Sequence, residues 1–484
     1  MRKSDRTHNS LVLGPGPCGP VIGSQGFPRF WEPRFLLVSL QIGREPDYCL
    51  HLDPPCRLMI RSSFSALDIG SRAMHKVVVE EPYKFVPPYR GRWFSWMFRL
   101  WLRPYLRKTH GIVNCTFEGL DHVRESIEAG HGILLCPNHS RDSDPMLLGM
   151  LCRAIPSHVF SMASWHIFKQ SRLESFVVRR LGGFSVYREG MDRQALDTSV
   201  HIVTNAERPL VVFPEGVISR TNDRLNALMD GVSFIARVAA KKRAELHPDK
   251  KVVIHPIGIR YRLQADLAEL TDPVLAKLEQ RTFWKTQEHL STIDRIGRLA
   301  MALLAAREIE VLGATQPGTV RARIANLINA MLHPIEKQWL GGARVGDVIV
   351  RVKDLRSVIL ADLLKGTLTP EERTSRWRQL TDCYYGQTLS MYPEGYLDDG
   401  VKGNLTPERI VETVQRLEED LTDHVTVQPA WRVEFRIGEA MVVDPTQKKS
   451  RGGDIIMQTL RDRILTLLEI EDWWPPQPVT PFEG

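Results

Sequence analysis

The residues whose types and spacing are best suited to chemistry are His139 and Asp144, in the stretch Ile133–Leu148, ILLCPNHSRDSDPMLL. An imidazole that titrates near neutrality can take a proton from a hydroxyl. A carboxylate on its other nitrogen fixes the tautomer and stabilises the imidazolium that forms. The two residues are five apart, whereas neighbours on one helix face are three or four apart. They can meet only if a loop curls them together. Apolar Ile133–Cys136 predicts a buried strand before that loop. Pro145, followed by Met146, Leu147, Leu148 and Met150 at helical spacing, predicts a helix after it. The loop then lies at a strand's C-terminal end, where open α/β sheets place their ligand crevice. The same residues also have a purely structural reading. Asp144 before Pro145 makes a good N-cap with proline in the first turn, and His139 can be a satisfied loop histidine.

Stepping outward, residues 110–262 predict one α/β unit. Strands are expected at Gly111–Phe117, Gly132–Cys136, Val159–Ala163, Pro209–Phe213 and Lys251–Ile259. Helices are expected at Leu120–Ala129, Trp165–Arg180, Arg193–Ala206 and Asp230–Ala244. In the last of these Val232, Ile235, Val238 and Ala239 face inward and Lys241, Lys242 and Arg243 outward. Such alternation predicts a mixed or mostly parallel sheet flanked by helices. Three further loops stand out. Gly182–Arg188, GGFSVYR, ends in a delocalised cation suited to phosphate oxygens. The continuous apolar PLVVF runs into Pro214-Glu215-Gly216, where the glycine permits a positive φ or a close backbone approach. His255-Pro256 interrupts an apolar strand, as at a sheet edge. Singly, each also reads as a surface arginine, an ordinary turn or a strand end.

In order, Asn138-His139-x4-Asp144, Gly182…Arg188, Phe213-Pro214-Glu215-Gly216 and Val253-Ile254-His255-Pro256-Ile257 resemble the four blocks of the glycerolipid acyltransferase family, the group of lysophosphatidate and glycerol-3-phosphate acyltransferases. The resemblance covers roughly 111–262, and its first and third blocks are the specific ones. It implies acyl transfer from acyl-coenzyme A or acyl-carrier protein to a hydroxyl of a glycerolipid precursor, foremost 1-acyl-glycerol-3-phosphate, in phospholipid synthesis. It implies His139 as general base and Asp144 as its orienting carboxylate, with no covalent acyl-enzyme. Asn138, in the first block, is expected among the substrate-binding residues. Arg188, Glu215 and Gly216 would hold the glycerol-phosphate part, and Pro256 would shape the acyl or acceptor pocket. The third block departs from the usual FPEG-Thr-Arg-Ser. Here it is followed by Val217-Ile218-Ser219-Arg220, so the usual arginine position is Ile218. Arg220, Arg224 or Lys169 would have to replace that cation, and an acceptor without phosphate stays open.

Composition bounds the rest. The 484 residues carry a net charge of +7, with 25% charged and 43% hydrophobic residues. That is a globular balance with a bias toward anionic partners. No apolar run reaches the roughly 18–20 residues that span a bilayer. Seven scattered cysteines without a C-x-x-C argue against a disulfide scaffold or zinc site and fit a reducing compartment. GPGPCG at Gly14–Gly19 is not a dinucleotide fingerprint, because no helix pattern follows it. No P-loop, metal motif or G-x-S-x-G elbow occurs, so no bound cofactor is expected beyond the acyl donor. Residues 1–73 are expected to be a disordered extension or a start-site artefact. Residues 74–110 interleave Trp93, Phe94, Trp96, Phe98 and Trp101 with Arg90, Arg92, Arg99 and Arg103. They are expected to lie in a membrane interface. This makes the chain a monotopic protein of the cytoplasmic face, partnered by membrane, acyl donor and lysophospholipid and not by nucleic acid. A helix packed on the protein's own core is the competing reading of that segment.

The acyltransferase domain is expected over 111–265, a mainly helical region over 266–472 and a proline-rich tail over 473–484. In the helical region Ala265–Gln280, Thr286–Leu312 and Val320–Leu340 are helices. Thr369-Pro370-Glu371-Glu372 is a capping box, and Thr406-Pro407-Glu408 opens a further helix. Trp431–Val443 is a hairpin around Gly438, and Asp454–Leu468 is the last helix. Tyr392–Gly395 repeats YPEG by coincidence. A thioester hydrolase on the same scaffold and a non-catalytic membrane scaffold are the alternatives. The latter is disfavoured by the intact His139, Asp144 and Glu215.

Overall fold

The computed structural model describes residues 78–283, 285–392, 397, 405–422, 424–427, 429–447 and 453–470. The extension before residue 74, the tail from 473 and residues 393–395 of the second YPEG lie outside them. The chain enters through helix α1 (Trp93–His110), strand β1 (Ile112–Glu118) and helix α2 (Leu120–Glu128). Strand β2 (Gly132–Pro137) leads to helix α3 (Asp144–Ala154), and strand β3 (Phe160–Ser164) to helices α4 (Ile167–Gln170) and α5 (Arg172–Arg180). Strand β4 (Gly183–Val186), helix α6 (Arg193–Thr204), strand β5 (Leu210–Val211), helix α7 (Gly231–Leu246) and strand β6 (Val252–Leu263) follow. The expected helix 165–180 is two, because Ser171 is extended and its hydroxyl caps a new start at the Glu174 N–H, 3.0 Å away.

Strands β1–β6 are joined by two from the far end of the chain, β7 (Trp431–Ile437) and β8 (Met441–Val442). The sheet order is β1-β7-β6-β2-β5-β3-β4, with β8 on β6. All neighbours are parallel except β7 and β8, which run antiparallel to β6. The expected hairpin 431–443 therefore does not form. Its two arms each pair with β6, a 12-residue strand long enough to hold both. Nor does His255-Pro256 mark an edge. β6 lies inside the sheet, and Pro256 falls between the end of the β8 ladder at Ile254 and the start of the β7 ladder at Ile257. A residue without an N–H costs no bond in that gap, and its carbonyl accepts from Gly438 N at 2.9 Å.

Strand alternation divides the core. Ile133, Leu135, Ile257, Ile259 and Tyr261 face one side, and Leu134, Cys136, Val252 and Ile254 the other. The first face is covered by α1 and α3, together with α8 (Leu267–Phe283) and α13 (Pro407–Thr422). The second is covered by α6, α7 and α14 (Ile455–Leu468). Arg243 of α7, expected to point outward, is buried. It donates to the carbonyls of Thr204 and Gly130, closing the C-terminal end of α6.

Between α8 and α13 in sequence the chain builds helices α9 (Thr292–Leu312), α10 (Val320–Leu340), α11 (Val348–Leu363) and α12 (Pro370–Ser390), the last with the expected capping box. They carry an internal repeat of 28 residues. Ser291, Thr319 and Asp347 are successive N-caps. Arg295, Arg323 and Arg351 follow, each paired through its guanidinium with a buried glutamate of the preceding helix: Glu279, Glu308 and Glu336. Each glutamate also accepts a loop N–H, from Gln287, Gln316 and Arg344. Leu299, Leu327 and Leu355 are buried at equivalent places. Each helix is thus stapled to the one before it, as in stacked-repeat proteins.

Candidate active site

Because β2, β5, β3 and β4 are parallel neighbours, the loops that leave them emerge along the same edge. This brings together blocks that are far apart in sequence. The loop after β2 curls as its two polar residues require. His139 Nδ1 lies 3.0 Å from Asp144 Oδ2. The same oxygen accepts the backbone N–H groups of Ser140 at 2.7 Å and Arg141 at 2.9 Å. Ser143 occupies the N-cap position and Asp144 the first turn, one residue later than the N-cap reading, which frees the carboxylate to hold its own loop. Asp144 is fully buried, whereas the His139 side chain is 14% exposed and stacks on Phe213 at 4.2 Å. With a carboxylate on Nδ1, the proton sits there and the lone pair on Nε2. Among the described residues no hydrogen bond engages Nε2.

Glu215 is the second anchor. Buried in the turn after β5, it accepts His139 N–H at 2.7 Å through one oxygen and Asn226 N–H at 2.9 Å through the other. Burial pushes its carboxyl up to about 7, against the pull of those two N–H groups. Gly216 adopts φ +67°, and a Cβ there would meet the Met229 sulfur at 2.7 Å, so this turn requires glycine. Ser219 N donates to the His139 carbonyl at 2.7 Å, so the third block runs beside the first.

The remaining expected site residues have other placements. Asn138 is buried, and its amide brackets Ile259, accepting from N at 2.7 Å and donating to O at 3.1 Å. It continues the β2–β6 ladder past the end of the strand and faces no open space. Pro256 is inside the sheet. Arg188 donates to the Gly216 carbonyl. Arg220, at φ +57°, is paired with Glu419 of α13. Of the other cations considered for the place of Ile218, Lys169 pairs with Glu81 at 2.6 Å and Arg224 donates to the Ser390 carbonyl at 3.3 Å.

Three residues that brace the His–Asp loop were not singled out from the sequence. Tyr261, fully buried on β6 beyond the reach of β2, donates its hydroxyl to Asp144 Oδ1 and shares a 2.8 Å bond with Ser143 Oγ. Burial and the Asp144 charge hold that phenol well above its ordinary range, so it remains a donor. Arg141 turns inward, its guanidinium 4.2 Å from the Trp431 ring and 4.9 Å from the Tyr261 ring, and pairs with Glu412 of α13 at 2.9 Å. Glu412 also accepts Asn222 N at 3.1 Å. Strand β7 and helix α13, from the far C-terminal stretch, thus complete the support of a loop near residue 140. The period-two placement of Ile257, Ile259 and Tyr261 was the only available signal for the tyrosine.

The α/β sheet thus gathers a His–Asp pair, a buried glutamate and an arginine at the C-terminal edge of its parallel strands. Residues 115–260 match the family model described as Acyltransferase. The chain therefore carries a domain of the glycerolipid acyltransferase family, and acyl transfer is the class of chemistry that domain supports. No curated protein matches the chain.

Proposed function

We propose that this protein is an O-acyltransferase that moves a fatty acyl group from acyl-coenzyme A, or from acyl-carrier protein, to a free hydroxyl of 1-acyl-glycerol-3-phosphate during phospholipid synthesis. The observation that carries this reading is the 3.0 Å contact of His139 Nδ1 with buried Asp144, which leaves Nε2 free. Nε2 takes the proton as the acceptor oxygen attacks the thioester carbonyl. The tetrahedral intermediate collapses with loss of the thiolate, which receives the proton from the imidazolium. Asp144 keeps its charge throughout and stabilises that imidazolium. An ester C–O bond forms and a thioester C–S bond breaks, with no acyl-enzyme.

A membrane surface as the place of reaction is supported by α1, which presents Trp93, Trp96, Leu100 and Trp101 at 57–69% exposure beside Arg103 and Arg107; the cytoplasmic face is part of the same proposal. Aromatic rings settle at headgroup level and cations meet anionic lipid. No helix among the described residues is long and apolar enough to cross a membrane. An acceptor without phosphate is the second reading, favoured by Ile218 in the third block.

Labelled long-chain acyl-coenzyme A is offered to vesicle-bound protein with 1-acyl-glycerol-3-phosphate, glycerol-3-phosphate or monoacylglycerol. Product from the first acceptor is expected. Product from monoacylglycerol alone would replace the substrate. Release of free acid with every acceptor would make the protein a hydrolase.

A further inference from the structure

Outside the His–Asp loop, a half-buried arginine and a buried one stand together with few partners. Arg188, at the end of the β4 loop, makes one hydrogen bond, to the Gly216 carbonyl, and no ion pair. A guanidinium has five N–H donors, and this one is half-buried, so the N–H groups it does not spend on that carbonyl are open to an anion. Arg356 of α11 stands against the same loop. It is 8% exposed and donates to Glu189 Oε1 at 2.5 Å, while its Nε is buried without a partner. Among the described residues, the one carboxylate bonded in this group, Glu189, pairs with Arg356 and not with Arg188. Their fields agree: Arg188 is pushed down to about 10 by burial and by Arg356, and nearby His166 to about 4 by burial and by both arginines.

The helical repeat sharpens the point. The positions equivalent to Arg356 in the two preceding units are Ala300 and Ile328, both apolar and packed inward. Only the third unit puts a cation there, and it is the unit that meets the site. Ile349 of α11 packs with Val217 of the third block, and Tyr187 packs against the cluster that holds Leu355 and Ile359. The pair is also tied to the reacting histidine. Arg188 holds the Gly216 carbonyl, and the adjacent Glu215 holds His139 N.

We propose that Arg356, delivered by the third helical repeat, joins Arg188 in a site for a phosphate monoester, and that in catalysis this is the phosphate of the acceptor. The assignment to the acceptor rests on the proposed function; the anion site itself does not. It gives the helical region a direct part in substrate selection. Glu189 keeps Arg356 aimed at the site before the anion arrives.

The full-length protein on phosphatidylcholine vesicles is assayed with 1-acyl-glycerol-3-phosphate and with monoacylglycerol, comparing wild type, Arg356→Met and Arg356→Lys. Loss of one charge-assisted bond corresponds to a rise of about 10- to 100-fold in KM for the phosphorylated acceptor. KM for acyl-coenzyme A should stay within about twofold of wild type, and kcat/KM for monoacylglycerol should be unchanged. The lysine variant should recover part of the loss, since it keeps charge without the fork. Equal losses on both acceptors would reduce Arg356 to a structural role and overturn the proposal. A rise in KM for acyl-coenzyme A that disappears with 3′-dephospho-coenzyme A thioester would assign the phosphate to the donor and overturn the acceptor assignment. A second readout needs no turnover: glycerol-3-phosphate, and not glycerol, should raise the melting temperature of wild type and fail to raise that of Arg356→Met. If wild type acylates neither acceptor but shows this shift, the proposed function fails while the anion site stands. If the shift is absent from wild type, the site itself is refuted.

Discussion

Tyr261→Phe tests whether the phenol positions the dyad or merely fills the core. The substitution removes one oxygen and leaves the ring, so neither a cavity nor a change in the Arg141 stacking is introduced. What is lost is the donor to Asp144 Oδ1 and the 2.8 Å bond with Ser143 Oγ. Asp144 keeps three contacts, all on Oδ2: Ser140 N, Arg141 N and His139 Nδ1. Its other oxygen is then buried without a donor. A hydrogen bond to a charged group contributes about 1.5–3 kcal/mol, so stability in urea should fall by roughly that amount. Held at one oxygen only, the carboxylate can turn about its Cβ–Cγ bond and carry the imidazole with it. A shift of the histidine from its productive position costs rate and not affinity, so kcat should fall about 10- to 100-fold with both KM values unchanged. The assay is steady-state acyl transfer on vesicles with equilibrium unfolding in parallel. An unchanged kcat beside the lost stability would refute the positioning role, and so would a loss confined to KM.

Glu215→Gln replaces two acceptor oxygens with one acceptor and one donor. The amide then faces either His139 N–H or Asn226 N–H with a clash of donors, worth about 1–3 kcal/mol, and turnover should fall with the loop. The same residue sets a pH dependence. Its carboxyl rises from about 4.5 to about 7 on folding, so the folded state holds a proton that the unfolded state releases in that window. Its contribution is full below the lower value and is lost as pH rises through the upper one, on the order of 3 kcal/mol by linkage. Urea titrations should show that decline in wild type and not in Glu215→Gln. Arg323→Met leaves the fully buried Glu308 unpaired and should destabilise by about 3–5 kcal/mol. The double change with Glu308→Leu should recover most of that loss in thermal melts. Replacing Trp96, Leu100 and Trp101 together by alanine removes side chains that are 63–69% exposed, and should weaken sedimentation with anionic vesicles at least about tenfold.

The central strands and the His–Asp loop were legible because the signals were local. Four buried residues before a polar loop, and proline after the aspartate, are consequences of a strand that ends where a helix begins. The turn at Glu215 was legible for the same reason. What closes the site was not, because it is made of contacts between residues far apart. Trp431–Ile437 alternates as any half-buried strand does, and nothing in that alternation says that it pairs with β1 and β6 and not with its own hairpin partner. Pro256 suggested an edge because the gap between two partner strands cannot be seen from one strand. Arg243 counted as outward from its neighbours Lys241 and Lys242, yet it answers the carbonyl ends of α6 and α2's following turn. Asn138 was expected among the substrate-binding residues as a member of the first block, and its amide bonds both backbone groups of Ile259. The helical repeat did leave traces, in Gly313 and Gly341 and in Gly318 and Gly346. Its repeat-defining arginines become a pattern only when each is paired with a glutamate of the preceding helix.

The most direct test of His139 as general base is single-turnover acyl transfer by His139→Ala against wild type, on the acceptor that wild type prefers and with unfolding curves measured on both. Loss of a positioned base at this nitrogen costs about 10²- to 10⁴-fold. Transfer should fall by that factor with stability and acceptor affinity retained. Turnover within about tenfold of wild type would contradict the dyad mechanism and leave the family's fold without its proposed base.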